Sequence, residues 1–193
     1  MTEKPITGAC NQPASYGTTP RSMMILPARR VHDLLMAQRR QWHVLSVCRE
    51  DELPLTVFAK SHCHLNCDDV CEADLPNLAL EHQGGDELRI PPNQGHIETA
   101  LRYSREVGME RLIVHCRAGL SRSPAIAWCI LLDQLRDTHR ASEELCRIRP
   151  EAAPSRPIIR LGLELLKVAD TTASQVVEEF ERLAAARFKN PAR

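Results

Sequence analysis

Between Arg111 and Pro124 the chain reads RLIVHCRAGLSRSP. The apolar run Leu112–Val114 predicts a strand in the core. Pro124 follows at a position typical of the first turn of a helix, where the missing proline N–H removes no hydrogen bond. Seven residues, from Cys116 to Arg122, lie between these two elements, and one of them is glycine. The stretch therefore predicts a strand, a tight loop and a helix in direct succession.

The predicted loop has the properties of an oxyanion-binding site. Successive backbone N–H groups can curl around a phosphate, and the N-terminus of the following helix adds partial positive charge. Gly119 permits backbone angles that other residues resist. We therefore predict that phosphate is bound by Arg117, Ala118, Gly119, Leu120, Ser121 and Arg122.

Side chains in and beside the loop predict nucleophilic chemistry. The positive field of the loop favours Cys116 as a thiolate, the reactive form of cysteine. Arg122 can bind two non-bridging phosphate oxygens with its planar guanidinium. Ser123 is predicted to donate a hydrogen bond to the sulfur when it acts as a leaving group, and His115 to hold the loop backbone. We call residues 116–122 the nucleophile loop.

The composition is that of an ordinary globular protein of 193 residues, with 43% hydrophobic and 26% charged residues. Because 25 basic residues balance 25 acidic ones, no overall basic field attracts nucleic acid or anionic membranes. No apolar run approaches the roughly 20 residues that span a bilayer. Residues 1–21 lack the order of a secretory signal. We expect a cytoplasmic protein with neither nucleic acid nor a membrane as partner, and with its eight cysteines mostly reduced.

Hydrophobic periodicity predicts an alternation of strands and helices. Strands are predicted at residues 23–26, 43–48 and 112–114, with weaker ones at 56–59 and 62–67. Helices are predicted from Pro27 to about Arg39 and at 95–107, 123–135, 141–148, 157–168 and 174–188. This order predicts an α/β fold, with a central, mainly parallel sheet of four to five strands flanked by helices and a helical C-terminal third.

Composition also divides the chain. Residues 1–20 contain glycine and proline without periodicity and are expected to form a disordered tail. Residues 21–170 are expected to form the catalytic domain. Residues 171–193 are expected to form a C-terminal helix that packs on the domain or binds a partner. The segment 68–92 is long and without periodicity, a property common in functional loops.

The pattern His115-Cys116, five residues, then Arg122-Ser123 resembles the signature of the cysteine-based protein tyrosine phosphatase superfamily. It is most similar to dual-specificity and small bacterial tyrosine-phosphatase-like members, and the resemblance covers about residues 43–167. It implies a tyrosine-phosphatase-like fold and hydrolysis of phosphate monoesters through a phosphocysteine, without a metal or other cofactor. The implied substrate is a phosphorylated protein or a small phosphomonoester. A single basic residue inside the loop, Arg117, favours protein substrates over phosphoinositides.

The run from Arg147 to Pro157 also resembles the small bacterial members. It departs from them at Ser155, where asparagine is expected after Pro154. Arg147 and Arg149 are interpreted as solvated residues at the end of a helix, in preference to a position near the rim of the pocket.

The resemblance implies a general acid on a separate loop upstream of the nucleophile, where an aspartate protonates the leaving oxygen. Asp69 is the best-matching position, and Asp68 is second. Asp86 has a more usual separation from the nucleophile but follows no strand, and a reaction without an acid is a further alternative. No Trp-Pro-Asp sequence is present, since Trp42 and Trp128 lie elsewhere and are expected in the core.

Other functions remain open from the sequence. His62, Cys63, His64, Cys67 and Cys71 are types of residue that bind zinc, but strand alternation places the first two cysteines opposite the histidines, which disfavours a metal site. Thiols of this cluster could instead form a reversible disulfide with Cys116. A rhodanese-like sulfurtransferase and a non-catalytic phosphate-binding module are the alternative functions.

Overall fold

The computed structural model describes residues 23–70, 89–108 and 111–189, with the side chains of 188 and 189 excepted. The predicted tail, Cys71 and Asp86 lie outside the described residues. None of the helices in the described part combines the length and the hydrophobicity that a bilayer-spanning helix needs.

Four parallel strands form the central sheet, as predicted. They are β1 (Met24–Pro27), β2 (His43–Val47), β3 (Ser61–Leu65) and β4 (Leu112–Cys116). Their order in the sheet is β1-β4-β2-β3. Every residue of β2 and β4 is buried, because both strands have a neighbour on each side and helices on both faces. Since the strands are parallel, their carboxyl ends lie at one edge, where β4 ends at Cys116.

Within the described residues, six helices surround the sheet, with bounds close to the predicted ones. They are α1 (Ala28–Ala37), α2 (Gln94–Val107), α3 (Arg122–Leu135), α4 (Thr138–Ile148), α5 (Arg156–Leu165) and α6 (Ala173–Lys189). The Asn93 side chain accepts a 3.1 Å hydrogen bond from the His96 amide and so begins α2. Asp137 begins α4 in the same way, accepting from the Arg140 amide at 3.0 Å.

Two apolar layers cover the faces of the sheet. On one face α1 buries Val31 and Leu35 against Val44 and Ile113. The larger core lies on the other face, where residues of α2 to α6 pack together around α3. Trp128 of α3 is fully buried there, and its indole Nε1 donates to the hydroxyl of Ser142 at 3.0 Å.

The C-terminal helix contributes to that larger core. Val176 and Phe180 are each 1% exposed, and Ala184 is also buried. This face of α6 is therefore covered by the chain's own residues.

The weaker strand predicted at residues 56–59 is wrong. The Ala59 amide donates to the carbonyl of Thr56 at 2.8 Å, which closes a turn. The Lys60 amide then donates to the Trp42 carbonyl at 2.7 Å, so the chain is already tied to the start of β2. The β-forming residues Thr56 and Val57 have no neighbouring strand to pair with, and tertiary context overrides their propensity.

Candidate active site

The nucleophile loop begins and ends on rigid elements. Cys116 is the last residue of β4, and Arg122 is the first residue of α3. Five residues of irregular backbone connect them. The predicted succession of strand, loop and helix is confirmed, and it places Cys116 at the carboxyl edge of the sheet and the N-terminus of a helix.

The Cys116 sulfur receives two hydrogen bonds. The Gly119 amide donates to Sγ at 3.2 Å, and the Ser123 hydroxyl donates to Sγ at 3.2 Å. Cys116 is 2% exposed and Ser123 is fully buried, so both bonds lie away from bulk water. Donors directed at a sulfur stabilise negative charge on it, as does the helix N-terminus.

The carbonyl groups of the loop point outward. The Arg117 carbonyl accepts from the Ala28 amide at 3.2 Å, and the Leu120 carbonyl accepts from the Ala153 amide at 2.7 Å. The Ser121 carbonyl accepts from the Ser155 amide at 3.3 Å. Because the N–H and C=O of a planar trans peptide point in opposite directions, the amides that follow these carbonyls point toward the inside of the loop. A ring of inward amides is the arrangement that an oxyanion cradle requires.

Arg149 supports the loop from outside. Its Nε donates to the Gly119 carbonyl at 3.3 Å, and its side chain is 22% exposed. The interpretation of Arg149 as a solvated residue is therefore wrong. Arg147 is 50% exposed and pairs with Glu144 on its own helix, at 2.6 Å.

Gly119 is required by two independent features. Its φ is +70°, in the left-handed region that favours glycine. A Cβ at this position would lie 2.8 Å from the backbone carbon of Leu26 and 2.8 Å from the nitrogen of Pro27. The loop thus packs directly on the backbone at the junction of β1 and α1.

Arg122 is held in place by two acceptors. Its Nη2 donates to Oε2 of Glu52 at 3.0 Å, and its Nη1 donates to the Cys67 carbonyl at 2.9 Å. Arg122 is 8% exposed. Burial opposes its charge, but Glu52 and the nearby Cys116 outweigh burial and raise the pKa of Arg122. Three of the five guanidinium N–H groups are not used by these two bonds.

Glu52 is a site residue that sequence reasoning missed. It ends a short 3-10 helix, Glu50–Glu52, that follows β2. Its carboxylate contacts Arg122 and also lies 3.8 Å from the guanidinium of Arg117. The sequence shows only a run of charged residues there, because the partner is 70 positions away.

His115 is fully buried and hydrogen bonds away from the sulfur. Its Nε2 lies 2.6 Å from the hydroxyl of Ser46. Its Nδ1 has no hydrogen-bond partner among the described residues. Burial lowers the pKa of His115 to about 4, although the Cys116 backbone partly opposes this. The ring is therefore neutral near pH 7.

The two described candidate acids differ in their surroundings. Asp68 is 4% exposed, and its carboxylate accepts from the Ile90 amide at 2.9 Å and from Arg89 at 3.3 Å. Asp69 is exposed. Both follow Cys67, whose carbonyl accepts from Arg122, so the structure brings both next to the site.

Two further cysteines, Cys48 and Cys67, lie beside the site. Burial raises the pKa of Cys48 to about 12, assisted by Glu52 and opposed by Arg122. Burial likewise raises the pKa of Cys67 to about 12, against the influence of Arg122. Both are therefore protonated near neutral pH.

The zinc-ligand types do not converge among the described residues. Cys63 and Cys67 belong to the larger core, as strand alternation predicts, whereas His62 and His64 stack on each other with ring centroids 6.4 Å apart. No group of three His, Cys, Asp or Glu side chains in the described ranges could hold a metal ion.

No family model matches the sequence, and no curated protein matches it. Solved structures are similar to the chain. DUSP15 superposes with a TM-score of 0.54 at 19% identity, covering 83% of this chain and 91% of that one. A mouse putative dual specificity phosphatase complexed with zinc tungstate superposes with a TM-score of 0.50 at 17% identity, and the match covers 98% of this chain and 100% of that one. PTPMT1 in complex with PI(5)P superposes with a TM-score of 0.50 at 13% identity, and the match covers 86% of this chain and 94% of that one. The resemblance found in the sequence is thus confirmed for the fold, and this chain has the fold of the cysteine-based phosphatases of the dual-specificity type.

Proposed function

We propose that this protein hydrolyses phosphate monoesters through a phosphocysteine intermediate on Cys116. One observation carries the proposal: a sulfur that receives two hydrogen bonds at a helix N-terminus lies in the same loop as a guanidinium fixed by Glu52 and Cys67. Nucleophile and anion-binding group are thereby held on one rigid frame, which reduces the entropy lost in reaching the transition state.

In the first step the Cys116 thiolate attacks phosphorus. A P–S bond forms while the bond from phosphorus to the leaving oxygen breaks. The inward amides of the nucleophile loop and the unused N–H groups of Arg122 stabilise the charge on the equatorial oxygens. Because Glu52 and Cys67 already orient the guanidinium, little reorganisation accompanies the reaction.

In the second step water attacks phosphorus and the P–S bond breaks. The sulfur leaves as a thiolate, and the Ser123 hydroxyl is already positioned 3.2 Å away to donate to it. Inorganic phosphate is the product, and the enzyme returns to its starting state.

We propose Asp69 as the general acid that protonates the leaving oxygen. Its side chain is exposed beside the site, whereas both oxygens of Asp68 are engaged by Ile90 and Arg89. Asp68 is the second candidate, and its burial directly next to Cys67 favours it. The same group would later take the proton from the attacking water.

We propose a phosphorylated protein as the substrate, with phosphotyrosine or phosphoserine and phosphothreonine as the reacting residue. The nucleophile loop carries one basic side chain besides Arg122, that of Arg117, which is 80% exposed and lies 3.8 Å from Glu52. This limited positive charge supports a phosphorylated side chain over a phosphoinositide, which carries a diester phosphate besides its phosphomonoester and is the ligand present in the PTPMT1 structure. A cytoplasmic location, where thiols stay reduced, suits the mechanism.

The test compares turnover of an aryl phosphate by the wild type and by Cys116→Ser, with Cys146→Ser as the matched control. Cys146 is buried in α4, outside the site. We expect Cys116→Ser to lose turnover while retaining phosphate binding, and Cys146→Ser to keep activity. Near-wild-type turnover by Cys116→Ser would contradict the mechanism.

The same assay separates the alternative functions. A rhodanese-like enzyme would consume thiosulfate and leave the aryl phosphate intact. A non-catalytic module would bind phosphate and turn over neither compound. A panel of phosphotyrosine, phosphothreonine and phosphoinositide substrates then defines the substrate class.

A further inference from the structure

A chain of hydrogen bonds joins the residue before the nucleophile to the protein surface. His115 Nε2 lies 2.6 Å from Ser46 Oγ, and the same hydroxyl lies 2.8 Å from His62 Nε2. His62 Nδ1 lies 3.3 Å from Thr56 Oγ1. Ser46 and His115 are fully buried, and His62 is exposed. The chain of hydrogen bonds therefore crosses three adjacent strands from the solvent to His115, the residue before the nucleophile.

The register of the sheet brings Ser46 next to both histidines. Ser46 of β2 pairs with His115 of β4 on one side and with His64 of β3 on the other. Side chains two residues apart on a strand share a face, so His62 lies on the same face as His64. Ser46 is thus the only residue of β2 that bonds through its side chain to both neighbouring strands on this face, among the hydrogen bonds of the described residues.

A single hydroxyl proton couples the two histidines. Ser46 has one O–H to donate, and a neutral imidazole has one N–H donor and one acceptor nitrogen. If Ser46 donates to His115 Nε2, the His115 proton lies on Nδ1, and His62 donates to Ser46. If His115 donates instead, the Ser46 hydroxyl is free to donate to His62 or to accept from it as well. Because one O–H cannot serve both rings, at least one of the two rings must carry its proton on Nε2, and this requirement couples their tautomers.

We propose that Ser46 and His62 are positioning residues that fix the tautomer and orientation of His115, and through it the charge state of Cys116. The inference rests on the proposed function in treating Cys116 as the nucleophile. His115 directly precedes Cys116 on β4, and its ring interacts with the Cys116 backbone, where the nucleophile loop begins. Ser46 thus acts through His115 and does not touch the substrate.

Few titratable groups face this chain of hydrogen bonds. His62 faces His64 on its own strand, and burial followed by His64 lowers the pKa of His62. His115 faces His62, His64 and Arg122, and burial lowers its pKa to about 4. From α2, His96 faces His64. Near pH 7 the chain of hydrogen bonds therefore joins two neutral imidazole rings, those of His62 and His115.

Acidification affects which groups donate along this chain of hydrogen bonds. A protonated His62 can only donate to Ser46, which leaves the single O–H of Ser46 available to His115 Nε2. In that arrangement the His115 proton is on Nδ1. Acidification therefore favours this tautomer of His115.

The experiment measures alkylation of Cys116 by iodoacetamide as a function of pH, with the Cys116 peptide quantified by mass spectrometry. Ser46→Ala leaves His115 without its Nε2 partner, and we expect the pH of half-maximal alkylation to rise by about half a unit or more. Ser61→Ala is the matched control. Ser61 lies on β3 and bonds to His43 Nδ1 at 2.7 Å and to Tyr103 at 2.6 Å, which is the same chemistry without a contact to His115. An unchanged half-maximal pH in Ser46→Ala overturns the proposal.

A second pair of variants decides the matter if Ser46→Ala does not fold. His62→Gln keeps a hydrogen-bonding group at an exposed position but cannot titrate, and His43→Gln is its control. We expect the acid limb of the alkylation profile to change in His62→Gln and to stay as in the wild type in His43→Gln. Identical profiles for both overturn the proposal.

Alkylation of Cys116 requires no turnover, so the experiments can distinguish failure of the proposed function from failure of the positioning role. A wild type that alkylates normally but hydrolyses no aryl phosphate contradicts the proposed function alone. A wild type that hydrolyses aryl phosphate, with no effect of Ser46→Ala on alkylation, contradicts the positioning role alone.

Discussion

At the scale of single residues, the position of Arg122 depends on a carboxylate far away in the sequence. Glu52 is 14% exposed at its side chain and accepts from Arg122 at 3.0 Å. An arginine without this partner would keep its charge but lose its fixed direction. The site therefore depends on Glu52 as well as on the residues of the nucleophile loop.

Replacing Glu52 with glutamine should lower kcat/KM for an aryl phosphate about tenfold to a hundredfold, because glutamine can still accept a hydrogen bond but no longer forms the ion pair that fixes Arg122. Glu50→Gln is the control, since Glu50 lies exposed on the same 3-10 helix. Steady-state kinetics at saturating and limiting substrate measure both constants. Equal kinetics for the two variants would show that Glu52 does not orient Arg122.

The general acid can be assigned by its effect on pH dependence. An acid must be protonated to act, so activity falls as the pH rises through its pKa. Asp69→Asn should lower kcat about a hundredfold or more and remove this basic limb. Asp68→Asn should keep the limb and mainly affect stability, because Asp68 bonds to the Ile90 amide and Arg89. Loss of the limb in Asp68→Asn alone would transfer the role to Asp68.

At the scale of elements, the nucleophile loop is shaped by the segments around it. Its carbonyls are bonded by the start of α1 and by the connection before α5. Gly119 packs against the backbone of Leu26 and Pro27, where β1 ends and α1 begins. These elements therefore hold the form of the loop from outside.

Gly119→Ala should abolish activity and lower stability, and Gly108→Ala is a matched control. Both glycines have φ near +70°, so alanine is strained at either position. A Cβ on Gly119 meets backbone at 2.8 Å, whereas a Cβ on Gly108 meets nothing within 4 Å. We expect Gly108→Ala to cost about 1 to 3 kcal/mol in the free energy of unfolding, because its φ of 70° and ψ of 170° are almost exclusive to glycine, and to retain kcat. Retained kcat in Gly119→Ala would contradict the requirement for close packing.

At the scale of the whole molecule, α6 belongs to the folded unit of the sheet and the other helices. Phe180→Ala should lower the free energy of unfolding by about 3 to 5 kcal/mol, as expected for loss of a buried aromatic side chain. Glu181→Ala, on an exposed position of the same helix, should change it little. Urea unfolding measures both variants. A small effect of Phe180→Ala would mean that α6 detaches from the core.

The buried His115 should also make the whole fold sensitive to acid. Its pKa falls from 6.5 when unfolded to about 4 when folded. Between these values the unfolded state binds more protons, so stability decreases as the pH is lowered from 6.5 toward 4. The decrease due to this group is on the order of 3 kcal/mol.

His115→Gln tests this by urea unfolding at several pH values. The stability difference between the wild type and the variant should shrink as the pH falls, because only the wild type loses this contribution. A difference that is independent of pH would show that His115 does not titrate in this range. Comparison of the two proteins cancels the effects of the other buried histidines.

The sequence by itself determined the features that depend on near neighbours in the chain. The apolar run of β4, Gly119 and Pro124 act within a few residues, so strand, loop and helix were predictable together with Cys116, Arg122 and Ser123. The parallel sheet followed from the alternation of helices and strands. The prediction failed at residues 56–59, where three β-forming residues, Thr56, Val57 and Phe58, have no strand to pair with.

Only the tertiary structure decided which residues surround that loop. Glu52 meets Arg122 across 70 positions, and Ser46 meets His115 across 69. Both contacts arise because β2 lies beside β4 in the sheet with their carboxyl ends at one edge. The neighbours of a strand are fixed by packing of the whole molecule, and no local pattern in the sequence encodes them.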